Sequence, residues 1–365
     1  MTRLDEFVVP WVRQSKSYND RHLDMAWEHK DLHRMMGNEN PFPPPEHLVD
    51  SVLEMVRTGN VYPPSGEEIR DAIGRMNGLT VDHVLLGNGS TEIIEIVIRT
   101  LVQPGDEVVI PVPTFGMYEA RTRMSGGNPV RVLIQEDLYW DIGGILRAIG
   151  DRTKLVFLCS PNNPTGQVMA AEDLHEILAH GVPTVVDEAY YEFHDEKASV
   201  VPLLREHPNL IVIRTFSKAF GLSGFRAGYA LGDPVLVKHF LQVKIPFNVN
   251  LTAMAVVREA LKDPKAFRVR WEKLRTEREY LCRELSKISG LRVFPSQANF
   301  ILMDATDLGF SGEEIVQTLL EQDEILARVL SFHPHRKGFF RITVREREEN
   351  RLCLEALRRI FHKAG

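Results

Sequence analysis

One segment combines a serine, a lysine and an arginine in a pattern that can act on a phosphorylated aldehyde. Lys218 follows Ser217 directly, and Arg226 comes after two glycines that interrupt the segment. A lysine amine loses its proton when it is desolvated or set near another cation, and it can then form a Schiff base. A hydroxyl and a guanidinium are donors suited to a phosphate dianion. The segment therefore predicts a pocket that holds the phosphate and presents Lys218 to the aldehyde.

A second stretch predicts the other half of this phosphate site. An apolar run at Val81–Leu86 indicates a strand, and it is followed by GNGSTE and a helical pattern from Glu92 to Leu101. Backbone N–H groups at a helix start attract anions, and Ser90 and Thr91 add hydroxyl donors there. The dinucleotide pattern G-x-G-x-x-G is not satisfied, because Glu92 stands where the third glycine would be.

Polar or aromatic side chains follow three more predicted strands. Phe115 comes after the strand Glu107–Ile110 and can stack on an aromatic ring. Asn163, after the strand that ends at Cys159, can donate its amide to a phenolic oxygen. Asp187 ends another strand and can keep a pyridine nitrogen protonated, while Tyr190 can bond the oxygen that Asn163 serves. Together these side chains predict a site for a phosphorylated pyridine.

The run SKAFGLSGFRAG at 217–228 resembles the lysine segment of fold-type I pyridoxal phosphate enzymes, in particular the histidinol-phosphate aminotransferase family. The resemblance covers most of residues 38–350. It implies pyridoxal 5'-phosphate as cofactor, with Lys218 on its aldehyde. It also implies amino transfer to a 2-oxo acid, most specifically from histidinol phosphate to 2-oxoglutarate, which yields imidazole acetol phosphate and glutamate in histidine biosynthesis.

The resemblance also suggests substrate and interface residues. Arg341 is a single charge on the apolar strand Phe339–Val344, and its guanidinium fork matches a carboxylate. It falls in the Arg-Ile-Thr-Val context where the family binds that group, and Arg328 falls where the family grips the far end of the substrate. Asn40 matches an asparagine at the family's active-site entrance. Tyr62 matches a tyrosine that reaches the cofactor phosphate of the neighbouring subunit, which implies a homodimer.

Four positions depart from the family pattern. The family more often has an acid at the position of Thr91 and a tyrosine at that of Phe115. It commonly has a tyrosine, in contact with the substrate phosphate, where this chain has Trp11, and a glycine where it has Arg345. The departure at Thr91 concerns its contact with the cofactor phosphate, and those at Trp11 and Arg345 bear on the identity of the amino donor.

Predicted strands alternate with helices from Val81 to Leu231, a pattern typical of parallel βαβ units. We therefore expect an α/β fold. Its large domain is a three-layer αβα arrangement with a mostly parallel sheet that binds the cofactor, and a smaller α+β domain follows. The expected boundaries are an N-terminal arm at 1–40, the large domain at 41–250 and the small C-terminal domain at 251–365.

Composition limits the partners. A net charge of -6 with 26% charged residues provides no basic field for nucleic acid or anionic lipid, so small molecules, an amino donor and a 2-oxo acid, are the expected partners. The three cysteines have no C-x-x-C spacing, which disfavours a disulfide framework or a zinc site. No apolar run is long enough to span a membrane. We expect a cytoplasmic protein.

Three alternatives remain open. An aromatic amino acid aminotransferase would prefer phenylalanine to histidinol phosphate as donor. A threonine-phosphate decarboxylase on a similar scaffold would release carbon dioxide without a 2-oxo acid. A non-catalytic effector-binding module usually carries a fused DNA-binding domain, and the presence of Lys218 argues against it.

Overall fold

The computed structural model describes residues 4–15, 17, 21–194 and 199–362. The α-helices of this part of the chain are α1 Pro10–Gln14, α2 Arg21–Glu28, α3 Glu46–Val56, α4 Glu67–Met76, α5 Ser90–Leu101, α6 Met117–Met124, α7 Ile142–Ala148, α8 Ala171–Leu178, α9 Pro234–Val243, α10 Leu251–Lys262, α11 Pro264–Leu285, α12 Gly312–Asp323 and α13 Arg347–His362. The strands are β1 His33–Arg34, β2 Val84–Gly87, β3 Glu107–Val112, β4 Asn128–Leu133, β5 Thr153–Cys159, β6 Thr184–Asp187, β7 Leu210–Thr215, β8 Gly228–Gly232, β9 Arg292–Val293, β10 Phe300–Asp304, β11 Ile325–Leu326, β12 Arg328–Val329 and β13 Phe339–Thr343.

A seven-stranded sheet forms the centre of the fold, in the order β2-β8-β7-β6-β5-β3-β4. The strands from β7 to β4 pair in parallel, and only β8 runs antiparallel to its neighbours β2 and β7. Because β8 runs the opposite way, it begins at the edge where the parallel strands end. The predicted α/β fold with a mostly parallel sheet is confirmed.

Both faces of this sheet are covered, because side chains alternate along each strand. Leu155 and Phe157 of β5 join a core with helices α5, α6 and α9, whereas Val156 and Leu158 join the larger core on the other face. All four side chains are almost fully buried. The arrangement is the expected three layers of helix, sheet and helix.

The C-terminal region has its own sheet, in the order β12-β13-β10-β9, with antiparallel pairs throughout. Helices α11, α12 and α13 belong to the same part of the chain. Helix α11 begins at Pro264, because proline is favoured at the first position of a helix. A small α+β unit is therefore present. The division of the chain at residues 41 and 251 stays a prediction.

The segment expected to be an N-terminal arm, part of which lies outside the described residues, contains α1, α2 and β1. Strand β1 pairs in parallel with β11, with His33 opposite Ile325. Ala26 and Leu23 of α2 pack with Met36 and Leu326. The end of the arm thus contacts the C-terminal region.

Two local features refine the sequence-based picture. The strand predicted from Val81 begins at Val84, because Thr80 caps a 3-10 turn at Val81–His83. None of the helices in residues 4–15, 21–194 and 199–362 has the length and apolar character needed to cross a membrane.

Candidate active site

The C-terminal ends of the parallel strands surround a cavity of about 560 Å³. Gly87 at the end of β2 and Thr215 at the end of β7 both pair with Gly228, the first residue of β8, so the loops that leave these strands lie side by side. The cavity lining includes these sequence-predicted residues: Ser90, Thr91, Phe115, Asn163, Asp187, Tyr190, Ser217, Lys218, Arg226, Arg328 and Arg341.

An anion cradle lies where helix α5 begins. Gly89 precedes the helix with φ +84°, and an added Cβ there would lie 2.5 Å from the Arg226 Nη2 atom. Glycine is therefore needed both for the backbone angle and for the approach of the guanidinium. Arg226 also donates to the Ser223 carbonyl at 2.9 Å and to Ser217 Oγ at 3.4 Å. Ser90 and Thr91, in the first turn of the helix, complete the set of donors.

Lys218 lies in the loop after β7, and its side chain is mostly buried. The Nζ atom donates to the Gly37 carbonyl at 3.0 Å. Burial, followed by the nearby guanidinium of Arg341, lowers the pKa of Lys218 to about 8. The amine can thus exist in its neutral, nucleophilic form close to neutral pH.

Asp187 ends strand β6 in a buried position and has a specific hydroxyl partner. Tyr118 Oη donates to its carboxylate at 2.7 Å, and the Ala189 N–H donates at 3.0 Å. Burial raises the pKa of Asp187 to about 6, and the bond from Tyr118 opposes this rise. Tyr118 is fully buried and stacks on Phe157 with ring centroids 4.6 Å apart, so its hydroxyl is held in place.

Tyr190 receives two amide hydrogen bonds. Its hydroxyl oxygen accepts from Asn38 Nδ2 at 3.0 Å and from Asn163 Nδ2 at 3.3 Å. Burial raises the pKa of the Tyr190 phenol, so this hydroxyl stays protonated at neutral pH. The second N–H of the Asn163 amide is left for another acceptor.

Two arginines come from the small sheet. Arg341 of β13 lies directly opposite Arg328 of β12, and both residues line the cavity. Arg341 donates to the Met36 carbonyl at 2.9 Å and to Asn163 Oδ1. Side chains opposite each other on antiparallel strands lie on the same face, so this pair forms a positive wall.

Two of the predicted residues lie outside the cavity lining of this chain. Asn40 donates to the carbonyls of Ala219 at 2.9 Å and Lys218 at 3.3 Å, so its amide holds the lysine loop, and its expected contact with the substrate stays a prediction. Tyr62 is 77% exposed and stacks on Phe247 at 4.7 Å. Its expected contact belongs to the site of a second subunit and stays a prediction.

Trp11 and Arg345, which depart from the family pattern, both lie outside the cavity lining. Trp11, on α1, lies against the turn at Gly126 and Pro104, away from the cavity lining. Arg345 forms an ion pair with Glu349 at 3.1 Å and precedes α13.

Several residues of the cavity were not predicted from the sequence. Asn38 and Tyr118 bond the predicted residues Tyr190 and Asp187, and His22 and Leu23 of α2 line the opening. Tyr118 lies three residues after the predicted residue Phe115, and this closeness in sequence could have indicated it. No local pattern in the sequence points to Asn38, because its partners are distant along the chain.

The sequence is similar to those of known aminotransferases. Residues 31–357 match the model of the family Aminotransferase class I and II. The histidinol-phosphate aminotransferase of Thermoanaerobacter pseudethanolicus is 37% identical over 335 residues, which is 90% of this chain and 93% of that protein.

Solved structures agree. The crystal structure of histidinol-phosphate aminotransferase from Sinorhizobium meliloti in complex with pyridoxal-5'-phosphate matches with a TM-score of 0.87 at 25% identity, covering 98% of both chains. That of histidinol-phosphate aminotransferase from Clostridium acetobutylicum matches with a TM-score of 0.84 at 27% identity, covering 91% of this chain and all of that one. The resemblance noted in the sequence is confirmed. This chain belongs to the aminotransferase class I and II family and, within it, to the histidinol-phosphate aminotransferases.

Proposed function

We propose that this protein is a pyridoxal phosphate-dependent transaminase that transfers the amino group of histidinol phosphate to 2-oxoglutarate, producing imidazole acetol phosphate and glutamate. The observation that carries the proposal is the convergence of a low-pKa lysine, a buried carboxylate and an anion cradle around one cavity. The similarity to histidinol-phosphate aminotransferases over 90% of the chain supports this choice of substrates.

The donor set fits pyridoxal phosphate. The space that a Cβ would fill at Gly89 lets Arg226 approach the start of α5, where Ser90, Thr91 and Ser217 would complete the phosphate site. Phe115 would cover the ring, and Asn163 and Tyr190 would hold its phenolic oxygen. Asp187 would face the pyridine nitrogen, and Lys218 the aldehyde.

When bound, the cofactor supplies an electron sink for the electrons left after a proton leaves the carbon that carries the amino group. Asp187 supports this role because its carboxylate, bonded by Tyr118, is mostly ionised above its pKa of about 6. A carboxylate there favours a positively charged ring nitrogen.

Lys218 is the proposed proton carrier. With a pKa of about 8, its Nζ atom can act as a general base that accepts the proton leaving the amino-bearing carbon of the donor. The protonated amine can then act as a general acid and donate this proton again. Burial of the side chain keeps bulk water from competing for this transfer.

The arginine pair gives the site its preference for anionic substrates. Arg341 and Arg328 face the cavity from adjacent strands, and a guanidinium fork suits either a carboxylate or a phosphate. The same wall can therefore receive the phosphate of histidinol phosphate and the carboxylates of 2-oxoglutarate in alternate halves of the reaction.

We further propose that the protein acts as a cytoplasmic homodimer, with Tyr62 serving the cofactor phosphate of the partner. The exposure of Tyr62 and of the adjoining Phe247, an aromatic pair on the surface, supports a contact there.

A panel of amino donors tests the function. Purified protein with cofactor and 2-oxoglutarate should form glutamate fastest with histidinol phosphate. A preference for phenylalanine would point to an aromatic aminotransferase. Release of carbon dioxide from threonine phosphate without a 2-oxo acid would point to a decarboxylase. Formation of no product from any donor would contradict catalysis.

A further inference from the structure

We propose that Asn38 is a positioning residue that, together with Asn163, directs the hydroxyl proton of Tyr190 into the active-site cavity. The inference rests on the proposed function, because the group that would receive this proton is the phenolic oxygen of the bound cofactor.

The orientation of the Asn38 amide is determined by Thr343. The Asn38 N–H donates to Thr343 Oγ1 at 2.9 Å, so the Thr343 hydroxyl proton is available to donate to Asn38 Oδ1, which lies 3.3 Å away. With its oxygen facing a donor, Asn38 must present Nδ2 to Tyr190. Asn38 is 1% exposed and has φ +53°, an angle that asparagine tolerates better than most residues.

The orientation of the Asn163 amide is determined by Arg341. A guanidinium has only donors, so the oxygen that it contacts must be Asn163 Oδ1. Asn163 therefore also presents Nδ2 to the Tyr190 oxygen.

Because the Tyr190 oxygen accepts hydrogen bonds from two amides, its own proton can be donated in only one remaining direction. A tyrosine hydroxyl has acceptor capacity for about two bonds and one proton to donate. Because both acceptor positions are occupied, the proton must point away from the two amides. Within the described residues no acceptor lies in reach of it, and Tyr190 lines the cavity, so the proton is directed there.

This arrangement links the small sheet to the cofactor site. Thr343 and Arg341, which hold the two amides, are both on β13, and Asn299 Nδ2, next to β10, donates to the Asn38 carbonyl at 3.1 Å. The direction of the Tyr190 hydroxyl thus depends on the position of β13 relative to β6.

The test uses Asn38→Gly, because glycine keeps the backbone angle while removing the amide. A proton donated to the phenolic oxygen stabilises its anionic form, so a weaker bond should raise the pH midpoint at which the visible absorbance of bound pyridoxal phosphate changes. We expect an upward shift of roughly 0.5 to 1 pH unit, with cofactor affinity reduced about threefold to tenfold. Thr343→Val, which releases the same amide, should shift the midpoint in the same direction.

A double-variant comparison separates positioning from general damage. In a Tyr190→Phe background, Asn38→Gly should cause no further shift, because its effect passes through the hydroxyl. The charged or titratable neighbours of Tyr190, which are Arg341, Asp187, Cys159 and Lys218, are unchanged in these variants. Asn209→Gly is the matched control, since that amide donates to the carbonyls of Leu178 and Val182 away from the cavity lining, and it should leave the midpoint unchanged.

The two failures are distinguishable. If the unmodified protein binds no pyridoxal phosphate, both the proposed function and this inference are overturned. If it binds the cofactor but Asn38→Gly and Thr343→Val titrate like the unmodified protein, or if the Asn38→Gly shift persists without the Tyr190 hydroxyl, the inference alone is overturned.

Discussion

At the scale of single residues, burial shifts the pKa values of one basic and one acidic group of the active site toward neutral pH. It lowers the pKa of Lys218 to about 8 and raises that of Asp187 to about 6. In each case loss of water disfavours the charged form. Between these values Asp187 is mostly ionised while part of the Lys218 population is neutral, which is the combination that the proposed chemistry requires.

The cofactor-free protein should become more stable as pH rises from 8 to 10. Unfolded lysine keeps its proton to about pH 10.4, whereas folded Lys218 releases it near pH 8, so the unfolded chain binds more protons in this window. The unfolding free energy should therefore rise by roughly 2 kcal/mol relative to Lys218→Met. Urea unfolding of both proteins at several pH values measures the difference, and a gap independent of pH would contradict the lowered pKa.

Tyr118→Phe should weaken cofactor binding by about tenfold, because it removes a hydrogen bond to a buried carboxylate. The pKa of Asp187 should rise further, so the loss should be larger at pH 6 than at pH 8. Fluorescence titration with pyridoxal phosphate at both pH values measures this.

Tyr139→Phe provides the matched control, since Tyr139 Oη also donates to a carboxylate, that of Asp173, at 2.7 Å, but lies outside the cavity lining. Equal losses of affinity in the two variants would mean that the Tyr118 hydroxyl has no special role in the site.

At the scale of elements, the start of helix α5 should be sensitive to a single substitution. Gly89→Ala would place a Cβ 2.5 Å from Arg226 Nη2 and displace the guanidinium. We expect cofactor affinity to fall about tenfold to a hundredfold, as for the loss of a charged hydrogen bond. Equilibrium binding measures the effect.

Gly105→Ala is the control for backbone strain, because Gly105 also has a positive φ, +93°, but nothing lies within 4 Å of its added Cβ. It should cost stability without loss of cofactor affinity. If both variants bind the cofactor equally well, the approach of Arg226 to α5 is unimportant.

The elements that hold the site could be predicted from the sequence because each is local. Apolar runs indicated β5, β6 and β7. Asp187 ends β6, and Asn163 and Lys218 follow β5 and β7, so these residues had to meet because parallel strands end at one edge of a sheet. The boundary at Val81 was misjudged because Thr80 caps a short 3-10 turn whose residues also suit a strand.

At the scale of the whole molecule, the features that could not be predicted depend on contacts between distant parts of the chain. The pairing of β1 with β11 brings α2, and with it His22, to the cavity. Asn38 bonds Thr343 and Tyr190, and nothing in the run GNENP distinguishes Asn38 from Asn40, which instead holds the lysine loop.

Mixed dimers test the proposed role of Tyr62. Tyr62→Phe should lower cofactor affinity and activity, and Lys218→Ala should abolish activity. If Tyr62 serves the partner subunit, a mixture of the two variants contains dimers in which one site has both an intact Lys218 and an intact Tyr62. Such mixtures should regain activity in proportion to the mixed dimers formed. If the activity of the mixture equals the sum of the activities of the two separate variants, Tyr62 does not serve the partner's site.

The role of Lys218 is tested by identifying the residue that carries the cofactor. The protein is incubated with pyridoxal phosphate, reduced with borohydride to make the linkage permanent, and analysed by peptide mass mapping. We expect one cofactor per chain on the peptide that contains Lys218, and none in Lys218→Ala. Label on another lysine, or no label at all, would contradict this role.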